Sequence, residues 1–218
     1  LHYQFRWSGL EPETEHSCWK DVAGIIDRAK ASGLRVPKYL GHSKTGALKA
    51  DGAAAMKILN LVRVLQKSRS IKAVMFIRDL DHQSERREGI EQARSEHLDR
   101  QPKLEIIIGT ANRMREAWVL NGFVASQAEI QTLEEIKAQL NFDPCEEPHK
   151  LRSNSGESVD RIRNPKVVLE KLTGGDYSRE QQCWEETSLE LLRERGEHSG
   201  LSAYLEEVEQ RLIPILLE

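Results

Sequence analysis

The chain has 218 residues, of which 39% are hydrophobic, 31% charged and only 6% aromatic, enough for one domain, or one domain with an appendage, at the polar end of the globular range. With 32 Lys and Arg against 35 Asp and Glu the formal net charge is −3, which excludes a simple polybasic nucleic-acid binder, and no apolar run approaches the roughly 18 residues that a membrane helix needs. Charge is unevenly placed: residues 176–218 hold eleven acids and four Lys or Arg, so the first four-fifths of the chain is mildly basic.

Residues 2–7 alternate polar and apolar with Tyr3, Phe5 and Trp7 on one face, the period of a half-buried strand. Val22, Ile25, Ile26 and Ala29 recur at helical spacing, predicting an amphipathic helix over 13–30 that Gly33 ends. A short strand is expected at 34–40, weakened by Pro37, followed by an exposed loop over 41–52 that carries Lys44 and Lys49. Ala55, Ile58, Leu59, Val62 and Leu65 mark the next helix. The run AVMFI within 72–78 reads as a strand covered on both faces, and the polar stretch 84–100 as a solvated helix. Leu104 to Ile108 is a second buried strand; two such strands joined through a helix form a βαβ unit and imply a parallel sheet.

A short helix with Trp118 is expected over 115–121, and Ser126-Gln127-Ala128-Glu129 is a capping box opening a helix on Ile130, Leu133, Ile136 and Leu140. Residues 141–164 lack apolar periodicity and read as a long connection. Helices are expected at 165–172, 178–195 and 201–217, the last kinked or ended near Pro214. The organisation this suggests is an α/β domain over 1–140 and a helical C-terminal extension over 141–218. Cys18, Cys145 and Cys183 form no CxxC pair and no basic-then-apolar leader opens the sequence, so a cytoplasmic setting is expected.

Asp79-Leu80-Asp81 closes a buried parallel strand, at the sheet edge where α/β proteins bind ligands. In extended backbone the two carboxylates point to one side, roughly 7 Å apart at the Cα level. They repel unless a cation sits between them, and oxygen-only ligands suit Mg²⁺ or Mn²⁺. The competing reading is a pair of solvated, helix-capping acids. Arg113 and Arg115 after the next strand are candidates for backbone-phosphate contacts, as is Lys44 in its loop. Gly41 to Gly46 lacks P-loop spacing, and neither GxSxG nor HExxH occurs, so nucleotide-loop, serine-hydrolase and zinc-protease chemistry lose support.

Four segments in order carry a resemblance: Glu11-Pro12-Glu13-Thr14-Glu15 after the first strand, Asp79-Leu80-Asp81 after the third, Arg115-Glu116-Ala117-Trp118-Val119-Leu120 after the fourth, and Asn164-Pro165-Lys166. Together they resemble the Toprim domain of topoisomerases, primases and overcoming-lysogenisation-defect nucleases. They look closer still to a Toprim-like family of small bacterial proteins encoded beside ABC-type ATPases, with its "EAWLL" signature. Pro12 stands where that pattern has glycine.

The resemblance implies a Toprim-like, Rossmann-like α/β fold, a parallel sheet of about four strands with helices on both faces. It implies one or two Mg²⁺ or Mn²⁺ ions on Glu11, Asp79 and Asp81, with Glu116 in support and Lys166 offsetting charge on a transferring phosphoryl group. The expected activity is a metal-dependent nuclease hydrolysing phosphodiester bonds, the effector of an anti-phage defence system with an ABC-type ATPase partner. Self-association is left open. The main alternative is a non-catalytic Toprim-like regulatory subunit of such an ATPase complex; a third is a phosphatase with Asp79 as nucleophile.

Overall fold

The computed structural model describes residues 6–39, 46–100, 103–152 and 161–217. The fold is mixed α/β. Strands β1 (Ala73–Asp79) and β2 (Glu105–Ala111) form a two-stranded sheet. The N–H of Glu105 donates to the Lys72 carbonyl (3.0 Å) and that of Leu80 to the Ala111 carbonyl (2.9 Å), a nearly constant offset that makes the pair parallel. Its two remaining expected partners are not strands where they are described: residues 6 and 7 and residues 34–39 carry no regular structure, and the rest of those segments lies outside the described residues. The expectation that β1 is covered on both faces is corrected as well. Only Phe76 of β1 is buried, whereas β2 is buried from Ile106 to Ala111.

The chain divides into two compact units that alternate along the sequence. The first comprises Leu1–Met75, Gln83–Ile108 and Glu209–Glu218; the second comprises Phe76–His82 and Gly109–Val208. The carboxyl ends of both strands therefore belong to the second unit.

In the first unit, α1 (Val22–Ala31) and α2 (Gly52–Leu65) pack together, and α2 packs along α3 (Glu85–Leu98). The helix expected from residue 13 starts only at a 3₁₀ turn over Trp19–Asp21. Upstream, the chain folds on its own polar groups: Gly9 N–H donates to Thr14 O, Thr14 Oγ1 to Glu11 O and Leu10 N–H to Ser17 Oγ. Such local bonds compete with a helix. The polar α3 is not simply solvated: it buries Gly89, Ile90, Ala93, Glu96 and His97. Gly89 lets α3 touch the turn that leads into α2 at backbone distance, since a Cβ there would lie 2.1 Å from the Ala50 carbonyl oxygen and 2.7 Å from that of Lys49.

The second unit contains α4 (Glu116–Asn121), α5 (Ile130–Leu140), α6 (Pro165–Thr173), α7 (Tyr177–Glu185), α8 (Leu189–Gly196) and α9 (Leu201–Glu207). The capping box at the start of α5 forms its reciprocal half, Ser126 N–H to Glu129 Oε2 at 2.7 Å, with Arg179 holding the same carboxylate and drawing its pKa down to about 2. The single helix expected over 178–195 is two. Thr187 donates its hydroxyl to the Gly122 carbonyl and the Ser188 hydroxyl caps the Leu191 N–H, which stops α7 and starts α8. After α9 the helix widens into a π turn (Val208–Leu212) before α10 (Ile213–Leu217). Pro214 has no N–H and its ring crowds the carbonyl four residues back; the wider turn absorbs both. Among the described residues, no helix is long and apolar enough to cross a membrane.

Substituting Gly89→Ala forces a methyl group into backbone atoms that cannot rotate away. It is expected to destabilise the protein by about 2–3 kcal/mol in chemical denaturation. An unchanged midpoint would show that α2 and α3 have room to separate.

Candidate functional site

The strand ends of the second unit are anchored by α4. Asn121 is fully buried, and its amide nitrogen donates to the carbonyls of Cys145 (3.1 Å) and Arg195 (2.8 Å) while its oxygen accepts from the Ser199 hydroxyl (2.6 Å). Three residues earlier, in the same network, Trp118 Nε1 donates to the Ser199 carbonyl (2.8 Å) and its ring stacks on Tyr204, centroids 5.1 Å apart. Gly109 in β2 leaves no space for a side chain, because a Cβ would meet Ile77 and Tyr204 at 2.7 Å. Gly200, at φ +83°, lies against the Thr110 carbonyl. The frame behind the strand ends is thus tightly packed.

On that frame, the loop after β2 holds the end of β1. Asp79 Oδ1 accepts the Arg115 N–H at 2.9 Å, and the Asp81 N–H donates to the Arg113 carbonyl at 3.1 Å. Asp79 is half-buried and its pKa lies above the usual carboxylate value. Desolvation is the leading cause, and Glu116 and Asp81 add like-charge repulsion, against the lowering effect of the Arg115 N–H. Asp81, His82 and Arg113 occupy left-handed backbone conformations at φ +45°, +69° and +80°. Non-glycine residues there cost about 1 kcal/mol or more each, and strain of this kind concentrates at functional sites.

Arg113 Nη1 lies 2.6 Å from His82 Nε2, and its Nε donates to the His149 carbonyl at 3.4 Å. A guanidinium has only donors, so the imidazole must present its Nε2 lone pair and carry its proton on Nδ1. The His149 ring faces His198 with centroids 4.9 Å apart. Asn112 ties the His198 segment to β2 through Asn112 Nδ2 to the His198 carbonyl (2.9 Å) and Asn112 N–H to the Ser199 carbonyl (2.8 Å).

Of the residues named from sequence, Asp79, Asp81, Arg113, Arg115 and Glu116 thus belong to one strand-end cluster. Lys166 sits at the start of α6, its N–H capped by Asn164 Oδ1 (3.0 Å) and its ammonium 4.0 Å from Glu116 Oε1. Glu11 belongs to the first unit, where Arg28 grips both carboxylate oxygens at 2.7 and 2.9 Å and lowers its pKa. Lys44 lies outside the described residues. Among the described residues, no three His, Cys, Asp or Glu side chains come together closely enough to hold a metal ion. The fit to a hard cation is tested at Asp79, a half-buried carboxylate with two more carboxylates beside it, while Glu11 is held by Arg28 in the first unit.

Sequence reading overlooked Asn121, Ser199, His149 and His198. Asn121 had a signal, an amide closing the apolar run Ala117–Leu120 just before Gly122. The histidines had none, since they meet only through turns far apart in sequence. No family model, curated protein or solved structure matches this chain.

Because Asp79 has a raised pKa, the folded state binds its proton more tightly than the unfolded chain. Its contribution favours folding at low pH and is lost as pH rises through the folded pKa. Asp79→Asn keeps an acceptor for the Arg115 N–H and removes the charge. It is expected to raise the melting temperature at pH 7, the gain shrinking as pH approaches the ordinary value of 3.8. A lower melting temperature at pH 7 would mean that a neighbouring cation stabilises the carboxylate instead.

Proposed function

We propose that the strand-end cluster of the second unit is a divalent-metal site for phosphodiester hydrolysis, in a nuclease of Toprim-like fold. The observation that carries this reading is Asp79: a half-buried carboxylate at the carboxyl end of a parallel strand, oriented by the Arg115 N–H and repelled by Glu116 and Asp81. A carboxylate whose charge is disfavoured by burial and by two like charges is stabilised in its ionised form by a cation. Asp79 and Asp81 would hold Mg²⁺ or Mn²⁺, with Glu116 beside them. Bound there, the ion would polarise a phosphoryl oxygen and acidify water. The chain's own part is to orient Asp79 through a backbone N–H and to set Arg113 and Arg115 where substrate phosphates arrive; Lys166 near Glu116 offsets charge on the same side.

The four-stranded sheet of the Toprim-like fold belongs to this proposal, and β1 and β2 are the half of it that the described residues support. Glu11, paired with Arg28, has no part in it. Service as the effector of an ATPase-linked anti-phage system follows from the resemblance alone.

A second reading, a non-catalytic subunit that regulates its ATPase, is favoured by one observation: no three-residue metal group forms among the described residues. Supercoiled plasmid and structured RNA incubated with Mg²⁺ or Mn²⁺ separate the two. The nuclease reading expects metal-dependent cleavage that Asp79→Ala reduces more than about 100-fold, the scale of losing a preorganised electrostatic contact, with the circular dichroism spectrum unchanged. It also expects Glu11→Ala to keep cleaving. Cleavage persisting in Asp79→Ala, or absent from the wild type with either metal, rejects it.

A further inference from the structure

Among the described residues, Arg113 has no carboxylate partner. Its guanidinium touches a neutral imidazole nitrogen of His82 and the His149 carbonyl, and no carboxylate of the described residues lies within ion-pair distance of it. The two N–H groups on Nη2 have no protein acceptor among the described residues. Burial, and after it the like charge of Arg152, weakens Arg113's hold on its proton. Arg152 makes no described ion pair either. A partly desolvated guanidinium that feels the like charge of a second is stabilised by an anion.

The surroundings deepen that imbalance rather than relieve it. His149 leaves its ring Nδ1 buried and without a hydrogen-bond partner, next to the ring of His198. Arg113 and His82 both hold left-handed backbone conformations, and the Asp81 N–H pins the Arg113 carbonyl so that the two loops stay in register. Strain, an unpaired cation and an orphaned imidazole nitrogen thus coincide in one place.

We propose that Arg113, with His82, His149 and Arg152 around it, forms a subsite for the oxygens of a phosphate group. A carboxylate is satisfied by a single planar fork, whereas donors from two guanidiniums and two imidazoles match a tetrahedral anion with more oxygens. The subsite stands on its own geometry; its role as the place where a substrate's non-reacting phosphate is held rests on the hydrolytic reading above. The same chemistry serves a phosphomonoester at a strand end or a diester within a strand.

Titrating inorganic phosphate into the full-length protein without divalent metal, at constant ionic strength, tests the subsite by calorimetry. Saturable binding with a dissociation constant near 1 mM or tighter is expected. Arg113→Gln should weaken it at least about tenfold, and Arg113→Lys should recover only part of the loss, because an ammonium lacks the fork. Arg152→Gln, at an exposed position with no described side-chain bond, should weaken binding several-fold without moving the melting temperature, which guards against misfolding at Arg113. Asp79→Asn should bind phosphate at least as well as the wild type, so loss of cleavage and loss of the subsite are read separately.

Competition with a 5′-phosphorylated and a 5′-hydroxyl oligonucleotide then identifies the source. Tighter binding of the phosphorylated strand assigns the subsite to a strand end, and equal displacement by both assigns it to the backbone. No saturable phosphate binding by the wild type, or unchanged binding in both Arg113→Gln and Arg152→Gln, overturns the proposal.

Discussion

Asn121 has no exposed surface, and each arm of its amide is used: two backbone carbonyls from segments 24 and 74 residues away, and one serine hydroxyl. In a low-dielectric interior such a network is costly to break, because any lost partner leaves a buried polar group unsatisfied, at about 1–3 kcal/mol. Trp118 joins it through the Ser199 carbonyl. Together they fix α4 against the turn before α9, and α4 follows directly on the loop that carries Arg113 and Arg115. The position of every group at the strand ends is referred to that amide.

The site built on this frame is held against its own preferences. Asp79 is ionisable, half-buried and repelled by its neighbours; Arg113 is cationic and has a cation nearby; three non-glycine residues take left-handed backbone conformations. Elsewhere in the second unit charges are matched, as where Arg179 grips Glu129 and lies 4.7 Å over the Phe123 ring. Under the proposed reading, a half-buried carboxylate repelled by its neighbours and a partly buried guanidinium at one sheet edge are what a metal ion and a phosphate would neutralise.

Much of this was legible in the sequence because it depends on local pattern. The apolar runs at 73–77 and 104–108, the helical spacing on α2 and the Ser126–Glu129 capping box are short-range signals, and β1, β2, α2 and α5 appear close to where they were expected. What was missed depends on partners far away. The polar α3 read as solvated, although Gly89, Ile90 and Ala93 are spaced to let it sit on α2. The start of the first helix was misplaced because Thr14 and Ser17 turn the chain back on itself. Asp79-Leu80-Asp81 could be seen as a doublet, but its coupling to Glu116 and the pairing of Glu11 with Arg28 needed the fold. His82 and His149, which meet Arg113, and His198 beside His149 come from segments far apart, and no spacing rule joins them.

The central claim is that the carboxylates ending β1 receive a divalent cation. Titrating Mn²⁺ at substoichiometric amounts while following backbone amide signals by nuclear magnetic resonance reads the position of the ion directly. The account predicts selective paramagnetic broadening of Asp79, Asp81, Arg115 and Glu116, lost in Asp79→Asn. Broadening centred on the acidic segment 176–218, or spread evenly over surface acids, would contradict it.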